Sequence, residues 1–146
     1  MRWQTVLFDL DGTLIDSVPL ILASHRHATA TVLGEALPDD VLRAGIGKPL
    51  LTQMRTFDEE RAQELLETYR TFNHAQHDSW VLAFDGMLEL LAELRAGGAA
   101  VGVVTSKGAV ATAMAYRIVP LAPHVDVLVT ADDVDAHKPE PEPLLH

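Results

Sequence analysis

Asp9 and Asp11 stand one residue apart in Phe8-Asp9-Leu10-Asp11-Gly12-Thr13, where an apolar run stops. Two carboxylates at that spacing share a small space, and like-charge repulsion should raise the proton affinity of one of them. One could then serve as a nucleophile and the other as a proton donor. Gly12 permits a turn through positive φ and would leave main-chain amides open toward a ligand. The same residues also suit a plain polar turn, and spacing alone leaves both readings open.

The elements that must hold the pair can be read around it. Residues 3–10 form a short apolar run that reads as a buried strand ending at Asp11-Gly12. Ala99 to Val104, ending at Thr105, and Val125 to Thr130, ending at Asp132-Asp133, read the same way. Gly86 to Arg95 has helical periodicity and is closed by Gly97-Gly98, and a further helix starts near Lys107. Alternating strands and helices predict a parallel α/β core, with its site at the carboxyl ends of the strands.

Residues 16–84 break that alternation and read as an inserted helical cap on a core made of 1–15 and 85–146. Ser17 is placed to cap a helix running to Leu33-Gly34, and Pro38-Asp39-Asp40 starts a second. Gly45-Ile46-Gly47-Lys48-Pro49 is a loop, and Asp58 to about His77 forms one long helix with Leu65, Leu66, Tyr69 and Phe72 on one face. No strand is expected in this interval.

Composition narrows the function classes. With 146 residues the chain makes one ordinary domain, or a compact core with an insert; 48% hydrophobic and 22% charged residues place it among globular chains. Eleven Lys and Arg against 21 Asp and Glu give a net charge of −10, which disfavours nucleic acid and anionic membrane as partners. Without cysteine there are no disulfides or thiolate sites, and the longest stretch free of charged residues, Ala96 to Ser106, is far short of the roughly 18 apolar residues of a membrane span. No secretory signal and a cytoplasmic location are expected.

Three segments in order carry a resemblance. Asp9-Leu10-Asp11-Gly12-Thr13 after a hydrophobic strand, Val101 to Val104 followed by Thr105, and Lys138-Pro139 together resemble the haloacid dehalogenase superfamily of phosphohydrolases, in its helical-cap form. Tyr69 to His74, His77-Asp78, Val103 to Lys107 and Asp132-Asp133-Val134 look most like its pyrophosphatase and phosphoglycolate phosphatase branch. The fold implied is a three-layer Rossmann-like parallel sheet.

The resemblance also implies roles. Asp9 would be the nucleophile that forms an aspartyl-phosphate, and Asp11 the general acid and base. Mg²⁺ would take an Asp9 oxygen and the Asp11 carbonyl. Thr105 would donate its hydroxyl to a phosphoryl oxygen, and Lys138 would offset the clustered negative charge. Gly12, Thr13 and Ser106 would line the bound phosphate. The presence of Asp11 favours phosphate over a carbon–halogen substrate, and a sugar-phosphate mutase or a fold without catalytic activity are the alternatives.

Other residues admit two readings. Lys48 could dip from the cap loop to hold a substrate anion, or be an ordinary exposed lysine. His74 and His77, three apart, are read as a polar patch at a helix end rather than as metal ligands. The family's last acidic motif follows its lysine, so Asp132 to Asp135 are read as a loop at a strand end. Nothing after Lys138 in the given sequence matches that motif, which implies an incomplete sheet and little activity in this chain alone, and one of three outcomes: a homodimer through the open edge of the first strand, marginal stability, or membership of a longer polypeptide.

Overall fold

The computed structural model describes residues 3–146. Strand β1 (Thr5–Phe8) lies parallel to β4 (Ala100–Val104), which lies parallel to β5 (Val127–Val129), in the order β1-β4-β5. Phe8 sits opposite Val103, and Val104 opposite Val129, so Asp9 and Thr105 leave the sheet side by side at its carboxyl end. All three strands are shorter than the apolar runs that suggested them, because those runs continue into turns that pack on the core.

Helices α5 (Met87–Ala96) and α6 (Ala109–Ile118) cover one sheet face. Val101 and Val103 point into this side and meet Leu10, Leu14, Leu91, Ala115 and Leu121. Gly102 and Val104 face the other way, as the period of two requires. There Val104 packs with Val129 and Val134, while Leu7 and Val127 are exposed. A helical layer therefore covers one face, and the third layer is not filled among the described residues. The fold is an open α/β sheet of Rossmann type.

The insert holds four helices: α1 (Val18–Leu33), α2 (Asp39–Arg43), α3 (Leu50–Phe57) and α4 (Ala62–Trp80). A separate cluster of Ala28, Val32, Met54, Leu65, Leu66 and Tyr69 joins α1, α3 and α4. The long helix expected from Asp58 to about His77 is α4, which starts four residues later and runs to Trp80, because Asp58 adopts an extended conformation that ends α3. Its Oδ1 accepts the Arg61 N–H (2.8 Å), a local bond that competes with continuing the helix.

The expectation of no strand in the insert also needs correction. Ile15–Asp16 (β2) pairs antiparallel with Leu82–Ala83 (β3), Ile15 opposite Ala83 and Asp16 opposite Leu82. This ribbon is where the chain leaves the core and where it returns. Two-residue strands carry too little periodicity to be visible in sequence. On the far side of the cap, Asp78 of α4 accepts two hydrogen bonds from Arg117 of α6, 2.9 and 2.8 Å. No helix among the described residues is long and apolar enough to cross a membrane.

Candidate active site

The carboxyl ends of β1 and β4 open into a cleft of about 410 Å³, roofed by α1, α3, α4 and the Gly45–Pro49 loop. Asp9, Asp11, Thr105, Ser106 and Lys107 line the sheet side, and Lys48, Arg70 and His74 the cap side. A volume of this size suits a small organic ligand.

Each aspartate has its own ammonium group. Lys138 Nζ lies 3.0 Å from Asp9 Oδ2 and also donates to the Val104 carbonyl (3.2 Å), which ties the Lys138 loop to the end of β4. Asp9 Oδ1 accepts the Leu10 N–H at 2.7 Å. Lys107 Nζ donates to Asp11 Oδ1 at 2.9 Å, and the Ser17 hydroxyl donates to the same oxygen at 2.6 Å. Both donors fall on Oδ1, so Oδ2 carries neither. The resemblance implied that Lys138 would offset the clustered negative charge; the structure adds a second ammonium group, Lys107, at Asp11.

Ser17 therefore stands at the start of α1 without capping it, since its hydroxyl goes to Asp11. Gly12 turns with φ of +72° as expected, yet its N–H donates to Ile15 O (2.9 Å) and that of Thr13 to Leu10 O (3.2 Å). The amides expected to face a ligand are consumed by the turn, and neither residue lines the cleft. Thr105 is buried, and its Oγ1 accepts the Lys107 N–H at 3.1 Å, which leaves the hydroxyl proton available to another acceptor. The Ser106 hydroxyl is buried beside it without a partner. Asp132 Oδ2 accepts the Ala109 N–H (2.7 Å) at the first turn of α6, and Asp133 closes a capping box with Thr130, so this acidic loop is a capping device at the strand end.

The histidines separate. His74 lines the cleft, its pKa lowered by burial and then by the positive charges of Arg70, His77 and Lys107. His77 is fully buried, with Nδ1 3.1 Å from Asp78 and a pKa lowered first by burial, so it belongs to the cap–core contact and not to a surface patch.

The donor set at the end of β1 fits a hard divalent cation such as Mg²⁺. Asp9 is partly exposed on the cleft, and the Asp11 carbonyl takes no part in the hydrogen bonds that knit residues 10–15. No group of three or more acidic or histidine side chains set to hold a metal occurs among the described residues. Mg²⁺ tolerates this, because it usually retains several waters.

The family model for haloacid dehalogenase-like hydrolases matches residues 6–146. The chain belongs to that family. A pyrophosphatase of Bacillus cereus, PpaX, is 39% identical over 144 residues, covering 99% of this chain and 67% of that protein. A solved structure of a predicted phosphatase from Clostridium acetobutylicum is 30% identical with a TM-score of 0.77, covering 89% of this chain and 62% of that one. A haloacid dehalogenase-like hydrolase from Bacteroides fragilis shares the fold, with a TM-score of 0.87 at 24% identity and 99% and 70% coverage. This family member is thus a hydrolase of the phosphatase type.

Within it, the structure gathers Asp9, Asp11, Thr105, Ser106, Lys138 and Lys48 at or beside one cleft, and leaves Gly12 and Thr13 in the turn beneath. Sequence reasoning had no site role for Lys107, Ser17, Arg70 or Asn73. Lys107 carried a usable signal, a lysine two residues beyond the polar end of a buried strand. The bond from Ser17 depends on how the chain folds back through residues 12–16, which no spacing rule encodes.

Proposed function

We propose that this family member hydrolyses the phosphoester of a small phosphorylated metabolite, or pyrophosphate, through an aspartyl-phosphate on Asp9. The supporting observation is the pair of aspartates at one cleft end, each held by its own lysine on a different oxygen arrangement. An Asp9 oxygen attacks phosphorus, the bond to the leaving oxygen breaks, and Asp11 supplies the proton that the leaving group needs. Water then attacks the aspartyl-phosphate, Asp11 takes its proton, and the Asp9–phosphorus linkage breaks to give inorganic phosphate. Thr105 and Ser106 offer hydroxyl protons to phosphoryl oxygens, and Lys138, Lys48 and Arg70 offset their charge. Bound by Asp9 and the Asp11 carbonyl, Mg²⁺ would supply Lewis-acid charge stabilisation at the phosphoryl group.

The 39% identity to PpaX supports the choice of substrates, and the acidic chain supports a protein without nucleic-acid or anionic-membrane partners, read here as cytoplasmic. The test is phosphate release from p-nitrophenyl phosphate and pyrophosphate, with Mg²⁺ and with chelator, in wild type and Asp9→Asn. Turnover should require the metal and fall at least about 10³-fold in the variant. Retention of more than about one per cent of activity would overturn the role of Asp9. The edge of β1 away from β4 is unpaired among the described residues, so a second copy can add there; a single monomer species in sedimentation velocity at all concentrations would rule this out.

A further inference from the structure

Lys138 meets Asp9 from a loop that burial alone does not hold. Its side chain is 29% exposed, and the ammonium group ends a flexible four-carbon stem, so its resting place depends on how the loop's backbone is fixed. Before the loop, Val134 packs with Val104 and Val129; after it, Pro143 is buried in the short helix α7 (Glu142–Leu145). Between these anchors residues 135–141 are exposed or half-buried. The Glu140 N–H donates to His137 O at 2.9 Å and turns the chain just past Lys138.

The carboxylate of Glu142 closes this loop. Its Oε1 accepts the Asp135 N–H at 3.0 Å and its Oε2 the Ala136 N–H at 2.8 Å, so both oxygens are spent on two consecutive amides at the loop's entry. Those N–H groups, Asp135 first and Ala136 second, are the leading causes that lower the Glu142 pKa from its ordinary value, so the group is charged at physiological pH. An acidic residue in the first turn of a helix is well placed to favour that helix's own free N–H groups. Here the side chain turns back from α7 and joins the loop's exit to its entry. Such a two-oxygen bridge needs a carboxylate, because an amide would set its own N–H against one of the two donors. Pro139, Pro141 and Pro143 restrict φ along the same stretch, so the bridge fixes a segment that is already stiff. Lys138 lies inside the bridged segment, and from there its Nζ reaches Asp9 Oδ2 at 3.0 Å and Val104 O at 3.2 Å.

We propose that Glu142 is a positioning residue: by clasping the Asp135 and Ala136 amides it holds the loop in the arrangement from which the Lys138 ammonium group reaches Asp9 and the end of β4. Glu142 touches no reacting atom and acts through Lys138. Its effect on turnover rests on the phosphatase reading above; its effect on the Lys138–Asp9 contact does not.

The chain has three lysines, Lys48, Lys107 and Lys138, so NMR of ¹³Cε-labelled lysine follows each, with Lys138→Met to assign its signal. Asp9→Asn marks where the Lys138 signal lies once the ammonium group has lost its carboxylate. Glu142→Gln, nearly equal in size to the native residue, should carry the Lys138 signal at least half of the way to that position and leave Lys48 and Lys107 in place. A Lys138 signal that Glu142→Gln or Asp9→Asn leaves unmoved, or three lysine signals that move together, overturns the proposal. Turnover of p-nitrophenyl phosphate supplies a second measurement. Glu142→Gln should lower kcat about tenfold, the worth of one charge-assisted hydrogen bond, with KM within about twofold. In a Lys138→Met background the same substitution should lower kcat by less than about twofold, because the group it positions is gone. An equal fall in both backgrounds, the result of a merely structural role, or no fall in either overturns the proposal. Absence of turnover in wild type would instead count against the phosphatase reading, and the lysine spectrum would still decide the role of Glu142.

Discussion

Replacing Lys107 with Met would remove the ammonium group that holds Asp11. The two side chains are 10% and 18% exposed and meet at 2.9 Å, so the pair is largely shielded from water. At an effective dielectric constant of about 20, that separation corresponds to a gross attraction of roughly 6 kcal/mol. Desolvation of both ions offsets much of this, and breaking a buried pair by removing one partner typically costs about 3–5 kcal/mol. Asp11 retains the Ser17 hydroxyl at 2.6 Å, which brings the expected loss just below that range, to about 2–3 kcal/mol. For a chain of this size that is a fall in Tm of roughly 5–10 °C. A double-mutant cycle with Asp11→Asn, followed by thermal and urea unfolding, isolates the pair: the second substitution should cost little once the first is made, with a coupling of about 2 kcal/mol. A coupling under about 0.5 kcal/mol would refute the reasoning, because it would make Lys107 an ordinary surface cation with no hold on Asp11.

Acid should weaken the fold through His25, which is fully buried in α1. Its pKa is about 4 when folded and 6.5 when free, so below pH 6.5 the unfolded chain binds a proton that the folded chain refuses. Stability is therefore full above about pH 7 and declines as pH falls from 6.5 to 4, by roughly 3 kcal/mol in all; urea titrations at pH 7 and 4.5 should show the decline, and His25→Phe should lose most of it. Gly12→Ala should cost about 1–2 kcal/mol, since an alanine at φ +72° is strained and its Cβ would lie 3.2 Å from Val18 Cγ2. An unchanged urea midpoint in that variant would contradict the turn geometry.

What could be read from the sequence was whatever depends on short range. The apolar runs before Asp9, Thr105 and Asp132 have the length and valine content of buried strands, and their polar ends line up because parallel strands in register finish together. Gly34 and Gly97 marked helix ends through the left-handed or closing turns that follow them. What stayed hidden depends on long-range closure. Lys107 reaches Asp11 across 96 positions, and Asn73 reaches Ser24 across 49, so no local pattern announces either. The amides of Gly12 and Thr13 were misjudged for a related reason: whether a turn leaves its N–H groups free depends on where the following residues fold, and here Ile15 comes back to claim one. His77 looked like a surface histidine because periodicity shows which face of a helix is apolar, but not that a second body, α6, lies against its end.

The ribbon of β2 and β3 brings the chain back opposite its point of departure, Asp16 facing Leu82. From the sheet's side the helical insert is thus a closed excursion whose contents do not affect the register of β1 on β4. Closing such an excursion depends only weakly on its length, about 0.6 kcal/mol per doubling. The insert can therefore be lengthened, shortened or exchanged for another while the reacting carboxylates stay where they are, and selectivity can change on one part of the molecule as chemistry persists on the other. Two contacts interrupt that independence, the Arg117–Asp78 pair between α6 and α4 and a bond at the start of α1. Ser17, the first beyond the ribbon, supplies the hydroxyl on Asp11 Oδ1, so any substitute for the insert has to begin with a residue able to donate that bond.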